Sequence, residues 1–339
     1  MSDFALSCPA PLPERERVLM AHGGGGRLMR ELIENLFAAR LRPEHETDAA
    51  TLALGARRLA FTTDSFVVSP VFFPGGDIGS LAVHGTVNDL AMMGAEPAAL
   101  SAAFILEEGL ELDTLRRVVD SMAEAARRAG VRIVTGDTKV VERGRADKLY
   151  ITTSGVGVLI HEGELAPWRV AEGDEIVLSG DIGRHGMAVM SAREGLTFES
   201  EIVSDSAPVH REALSLLRNG VRVRCMRDLT RGGLASAVIE IARAGKADIE
   251  LEESRIAVRE DVRAACELLG FDPLYVANEG RFVAFVAAGE GERAAALLPS
   301  GAVIGRVKGK GAGTVVLRSV IGAERVLDLL SGEQLPRIC

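Results

Sequence analysis

Leu59-Ala60-Phe61-Thr62-Thr63-Asp64, then Ile78-Gly79-Ser80-Leu81-Ala82-Val83-His84-Gly85-Thr86-Val87-Asn88-Asp89-Leu90-Ala91-Met92-Met93, then Ala98-Ala99-Leu100-Ser101-Ala102-Ala103-Phe104-Ile105-Leu106 decide the fold. The first run reads as a strand that ends on an acid, the second as a helix, and the third, small and apolar, as another strand. A second helix follows, with Leu115, Val118, Val119, Met122 and Ala126 on one face, Asp113 as N-cap and Gly130 as its left-handed terminator. Residues 131–135 and 149–159 read as strands. The second half repeats the alternation, with strands at 175–178, 248–251, 282–287, 302–307 and 314–317 and helices at 185–194, 209–219, 234–244 and 259–269. The glycine-rich stretch 309–313 reads as a hairpin turn. Apolar packing is expected to end near 327–330.

The mixture, without a regular βαβ repeat, predicts an α/β (α+β) protein with mixed sheets flanked by helices. A chain of 339 residues exceeds what one core supports, so two domains are expected. The polar turn at 167–173 divides them. The expected parts are a leader with glycine loop and helix (1–40), a first domain (41–166), a second domain (167–330) and a flexible tail (331–339). Lys and Arg number 39 against 48 Asp and Glu, and no basic run of five residues interrupts that balance. This argues against a nucleic-acid partner while leaving a metal-neutralised nucleotide open. Cys8, Cys225, Cys266 and Cys339 are too far apart for a metal or redox motif, which fits a reducing compartment, and Cys225 and Cys266 sit in apolar surroundings as core residues. The start lacks the basic and apolar regions of a signal peptide, and no segment reaches the length of a membrane span, so the cytoplasm is expected.

Three groups of residues could carry chemistry. Gly23, Gly24, Gly25 and Gly26 precede a helix expected over 28–40, and such a run lets backbone N–H groups approach an anion, although a merely flexible loop has the same composition. Asp48, Asp64, Asp89, Asp137 and Asp228 stand in small-residue contexts where elements end. Any one of them could be a turn or cap residue; together with the glycines they favour a magnesium–nucleotide site. Lys139 and Glu279 follow as a cation and an acid, either of which could simply be a solvated surface charge. His185 reads as a turn or pocket residue. Cys339, in Pro336-Arg337-Ile338-Cys339, carries a thiol at the last position of the sequence. Pro336 stiffens the approach, Arg337 favours thiolate and the α-carboxylate opposes it. A prenylation signal would need three further residues.

Taken together, His22-Gly23-Gly24-Gly25-Gly26, the block 63–97, Gly136-Asp137-Thr138-Lys139-Val140-Val141, Asp228-Leu229-Thr230-Arg231-Gly232-Gly233, Asn278-Glu279-Gly280 and the terminal Pro-Arg-Ile-Cys resemble the HypE family of hydrogenase maturation factors along essentially the whole chain. That family resembles aminoimidazole ribonucleotide synthetase, selenophosphate synthetase and thiamine-phosphate kinase. The resemblance implies a two-domain fold of that synthetase type whose N-terminal domains pair in a homodimer, with ATP and Mg2+ in a nearby cleft. It implies an ATP-dependent dehydration of a carbamoyl group, loaded on Cys339 by the carbamoyltransferase HypF, to a thiocyanate. The cyanide then passes to iron on a HypC–HypD scaffold for [NiFe] hydrogenase. It further implies Cys339, Lys139 and Glu279 as catalytic residues, with the choice of proton acceptor between the last two left open. Gly23, Gly24, Gly25, Gly26, Asp64, Asn88, Asp89, Asp137, Thr138 and Asp228 would bind nucleotide, and Asp48, Asp64, Asp89 and Asp228 the metal. Arg184 stands where many relatives would carry an acid.

Rival readings are a sibling synthetase such as a selenophosphate synthetase, a non-catalytic thiol carrier, and a small-molecule kinase whose tail is incidental. The first lacks a reactive Cys–Lys pair beside the glycines. The acids and Lys139 argue against the second, and the third predicts ATP use indifferent to loss of the last residue.

Overall fold

The structure is a computed structural model that describes residues 24, 26–38, 47, 49–55, 57–196, 201–330, 335 and 337–339. In chain order its helices are α1 (Arg27–Leu32, continued by a π-helical stretch Ile33–Ala38), α2 (Ile78–Met92), α3 (Leu112–Ala129), α4 (Arg184–Glu194), α5 (His210–Arg218), α6 (Gly233–Gly245), α7 (Glu260–Leu269) and α8 (Gly291–Ala296). The strands are β1 (Ala50–Leu54), β2 (Arg57–Phe66), β3 (Phe72–Phe73), β4 (Gly76–Asp77), β5 (Ala95–Glu107), β6 (Arg132–Val141), β7 (Leu149–Leu159), β8 (Glu175–Leu178), β9 (Val223–Asp228), β10 (Ala247–Glu252), β11 (Phe282–Val286), β12 (Ala302–Lys310), β13 (Val315–Arg318) and β14 (Glu324–Leu327). Among the described residues the first half forms a mixed sheet of order β1-β2-β7-β5-β6 and the second a mixed sheet of order β14-β13-β10-β12-β8-β11-β9. The expected two-part mixed α/β architecture is therefore present.

Helix α2 is the hub. Asp77 caps it, its carboxylate accepting the Gly79 (2.7 Å) and Ser80 (3.2 Å) N–H groups, while the Asp77 N–H donates to Ser80 Oγ (3.1 Å). This reciprocal box satisfies donors that a helix start leaves orphaned. Ile78, Leu81, Val83, Val87 and Leu90 are all buried, so the helix is enclosed on every side. A Cβ on Gly79 would collide with the Val118 carbonyl, which explains how α3 lies so close. Val68, Ile78, Leu81 and Met122 from the first half share one core with Met187, Val189, Val262 and Val276 from the second.

Three local expectations are corrected. Glu111, not Asp113, occupies the N-cap of α3; Asp113 sits in the first turn, paired with Arg116. Residues 309–313 do not close a hairpin, because β10 lies between β12 and β13, antiparallel to one and parallel to the other. Apolar packing does not stop near Leu330: Leu335 and Ile338 join the shared core, and Cys339 packs against it.

Candidate active site

Glu279 is placed by its neighbours. Asn278 beside it accepts the Gly183 N–H (2.7 Å) and donates to the Leu229 (3.2 Å) and Val276 (3.0 Å) carbonyls. The buried Asp205 carboxylate accepts N–H groups from Glu279 (3.3 Å), Gly280 (3.0 Å) and His185 (3.0 Å). A side chain at Gly280 would strike the Asp205 carbonyl, so only glycine lets the two loops meet. Across from them, β9 ends at Asp228, and Gly232 and Gly233 turn into α6 with φ of 78° and 61°. The Gly233 backbone lies against the Leu274 and Val276 carbonyls of the loop that leads to Glu279.

Held in this way, Glu279 is 2 % exposed and its Oε1 has no hydrogen-bond partner. Burial, reinforced by the carboxylates of Asp228, Asp64 and Asp205, raises its carboxyl well above the usual range, and Arg231 opposes the shift. Cys339 lies in the same field. Burial pushes its thiol up to about 12; Arg231 favours the thiolate, while Glu279, Asp64 and Asp228 disfavour it. Arg231, on the exposed rim, is kept cationic by Cys339, Asp64, Glu279 and Asp89. A residue from β2, one from α2, one from the 276–280 loop and the final cysteine thus share the field of one guanidinium, and Asp228 at the end of β9 adds to that of Cys339 and Glu279.

Of the expected site residues, Asp64, Asp89, Asp228, Glu279 and Cys339 are brought together. Asp89 accepts the Thr62 hydroxyl (2.7 Å), which fixes its carboxylate beside β2. Gly24 borders the same place, next to Arg231, Leu335 and Ile338, and Gly26 lines a cavity of about 340 Å3 with Arg30, Asp228, Arg231 and Ser236. Gly23, Gly25 and Asp48 lie outside the described residues. Asn88 has other partners than a nucleotide: its amide donates to the Ala207 (3.1 Å) and Glu279 (3.3 Å) carbonyls and its oxygen accepts the Val209 N–H (2.8 Å). Arg184 forms an ion pair with Asp181 (2.8 Å). His185 is a fully buried pocket residue.

Asp137, Thr138 and Lys139 stand apart. They lie on the edge strand β6, where Lys139 Nζ meets Asp137 Oδ2 at 2.7 Å, both side chains mostly exposed. The Thr138 N–H also donates to Asp137 (2.8 Å). Asp64 is in register with Thr153, Ala102 and Gly136 across the sheet. Three interstrand steps separate β2 from β6, roughly 14 Å. Lys139 therefore does not meet Glu279 in this arrangement.

Among the described residues no three His, Cys, Asp or Glu side chains converge closely enough to hold a metal ion. The acids are not a preassembled cage. They do suit magnesium, which takes one or two carboxylates and completes its shell with phosphate oxygens and water. Residues not singled out in the sequence are Arg231, legible only as part of its motif, and Asp205, whose role depends on a contact with a loop far along the chain.

This chain matches the model for AIR synthase related protein, N-terminal domain, over residues 46–159, and that for the C-terminal domain over 171–318. It is 52% identical over 331 residues to the carbamoyl dehydratase HypE of Azotobacter vinelandii, covering 95% of this chain and 97% of that one. The chain belongs to the HypE family. A solved HypE in complex with ATP superposes with a TM-score of 0.81 at 46% identity, covering 95% of this chain and all (100%) of that one. HypE in a HypE–HypF complex gives 0.82 at 43% identity, over 88% of this chain and 99% of that one. Among the described residues no helix is long and apolar enough to cross a membrane.

Proposed function

We propose that this protein is an ATP-dependent carbamoyl dehydratase acting on its own Cys339, making the thiocyanate that supplies cyanide to the iron of [NiFe] hydrogenase. The observation that carries this reading is the placement of Cys339 in one electrostatic cluster with Glu279, Arg231, Asp64 and Asp228. A thiol that merely ferried a group would have no need of a buried acid beside it.

The reaction balances as follows. The oxygen of the Cys339 thiocarbamate attacks the γ-phosphorus of ATP, releasing ADP and converting that oxygen into a phosphate leaving group. The C–O bond then breaks, two protons leave the nitrogen, and phosphate departs from an S–C≡N product. Arg231 is placed to hold the anionic oxygens as charge moves onto them. Glu279 is the stronger candidate for proton acceptor, since burial among other carboxylates makes its ionised form a stronger base than an exposed carboxylate, whereas a lysine beside phosphates stays charged. Asp64, Asp89 and Asp228 would hold Mg2+ together with the phosphates, whose charge it neutralises when bound. The glycine run and Asn88 would frame the nucleotide site, Asn88 by positioning backbone rather than by touching ligand, and the Asp137–Thr138 segment, like Lys139, would reach it from a second copy.

Lys139 enters through a homodimer. The outer face of the first-half sheet exposes Leu52, Phe61 and Ile105, with Lys139 in register beside Ile105, an apolar surface of the kind that pairs with another chain. A second copy seated there could bring its own Lys139 across the gap of roughly 14 Å between β2 and β6. HypF is the expected carbamoyl donor, supported by the solved HypE–HypF complex, and a HypC–HypD iron scaffold the expected acceptor. The test is the mass of the Cys339 peptide. Incubation with carbamoyl donor, HypF and Mg-ATP should leave an adduct lighter by one water than the carbamoyl form, absent in Cys339→Ala, which should still bind nucleotide. A carbamoyl adduct that persists with ATP present would refute the dehydratase reading.

A further inference from the structure

The carbonyls of Arg337 and Ile338 and the main-chain oxygen of Cys339 each have a donor waiting for them. Arg193, on α4, donates from Nη2 to the Arg337 carbonyl (2.8 Å) and from Nε to the Ser69 carbonyl (2.8 Å), so one guanidinium straps the tail to the segment that follows β2. His185 Nε2 lies 2.8 Å from the Ile338 carbonyl, and its Nδ1 lies 2.8 Å from Ser204 Oγ. A carbonyl only accepts, so Nε2 carries the proton and Nδ1 accepts from the Ser204 hydroxyl. The Val67 N–H donates to the main-chain oxygen of Cys339 (3.0 Å) and the Ser69 N–H to the Arg337 carbonyl (3.2 Å). The Arg337 side chain returns a bond from Nε to the Val67 carbonyl (2.9 Å).

We infer that Arg193 and His185 are positioning residues that clamp the tail by its main chain and so set the depth at which Cys339 meets Glu279 and Arg231. The inference rests on the reading of Cys339 as the reacting group. Arg193 and His185 touch the tail only at its backbone, so what these two fix is register rather than residue identity; Arg337 adds a side-chain anchor, its Nη1 donating to Asp147 Oδ2 (2.7 Å). A slip of one residue would displace the sulfur by roughly 3.3 Å and leave each donor facing the wrong atom. His185 and Arg193 lie on one helix with their donors aimed at consecutive carbonyls, an arrangement that a purely apolar docking of Leu335 and Ile338 would not require. Burial of Ile338 supplies attraction, and the two side chains supply alignment.

The test uses the full-length protein without ATP. Iodoacetamide labelling of Cys339 is followed by mass spectrometry, with the buried Cys225 and Cys266 as internal controls. Arg193→Ala should speed Cys339 labelling about tenfold, the worth of one hydrogen bond from a charged donor, while Cys225 and Cys266 stay protected. His185→Phe should act in the same direction. His185→Gln, which keeps an N–H donor near the Nε2 position, should stay near the parent rate. In single-turnover dehydration Arg193→Ala should lose a similar factor with ATP affinity retained. Parent-like Cys339 labelling in both Arg193→Ala and His185→Phe would overturn the clamp. So would labelling of all three cysteines rising together, which would assign these residues to general stability. If the parent forms no thiocyanate, the dehydratase reading fails while the labelling contrast still decides the clamp.

Discussion

Replacing Glu279 with glutamine should disable the reaction and stabilise the protein at the same time. The carboxyl is 2 % exposed, its Oε1 has no partner, and Asp228, Asp64 and Asp205 surround it. Because its pKa is raised by folding, the folded state holds a proton that the unfolded state releases above the ordinary carboxylate range. Its contribution is therefore most favourable at low pH and is lost as pH rises towards the folded-state value. Glutamine keeps the shape, removes the ionisation and offers an amide donor to neighbouring acceptors. An unsatisfied buried polar atom costs on the order of 1–3 kcal/mol. A gain of about 2 kcal/mol over 339 residues, at ~2.1 cal/mol/K per residue, raises Tm by roughly 3 °C. The assay is a thermal melt of parent and Glu279→Gln at pH 7 and at pH 4.5, beside the mass of the Cys339 peptide after Mg-ATP. The variant should melt higher at pH 7, with the advantage shrinking at pH 4.5, and should stall at the carbamoyl adduct. A variant less stable than the parent at pH 7, or one that turns over normally, would refute the reasoning.

Two further outcomes follow from other parts of the molecule. Lys139→Ala and Glu279→Gln chains, each inactive alone, should regain a fraction of dehydratase activity when mixed and allowed to exchange subunits, and no recovery would count against a site shared between two copies. His84 is held down to about 4 by burial, with Arg128 adding to the effect, and its Nδ1 lies 3.0 Å from Ser206 Oγ. A histidine buried neutral destabilises the fold as pH falls from its ordinary value of 6.5 towards 4, here by at most roughly 3 kcal/mol; denaturant midpoints across that range should fall less steeply in His84→Gln than in the parent.

Much of the fold is legible where local pattern and tertiary role agree. The stripe of α3, the strand at 149–159 and the glycine that ends α3 follow from periodicity and from the left-handed preference of glycine. Strand β9 is less legible, because Val223-Arg224-Cys225-Met226-Arg227-Asp228 mixes charge with apolar residues and becomes a strand through its pairing with β11. The stretch 309–313 misleads for a related reason: neighbours in sequence need not pair when a distant strand fits between them. The tail misleads most. Residues 331–339 look polar and short, and the docking of Arg337, Ile338 and Cys339 depends on backbone donors at Val67 and Ser69 and on side chains of α4. In the candidate site the acids, the glutamate and the cysteine are legible as motif residues. Asp205 and Arg193 are not, and His185 reads only as a turn or pocket residue, since their partners are the loops and carbonyls that folding brings to them.

Asn88 has a mechanical consequence. Its carboxamide ties the Glu279 carbonyl, together with Ala207 and Val209, to the helix whose next residue is Asp89. Asp89 and the Glu279 backbone are therefore joined through one side chain. A displacement of a few tenths of an ångström at Asp89 would be felt by the backbone of Glu279 through a single side chain. On the roles proposed for Asp89 and Glu279, that joint couples the acid on α2 to the loop of the second half, so a change in the fit between the halves would register at both carboxyl groups at once.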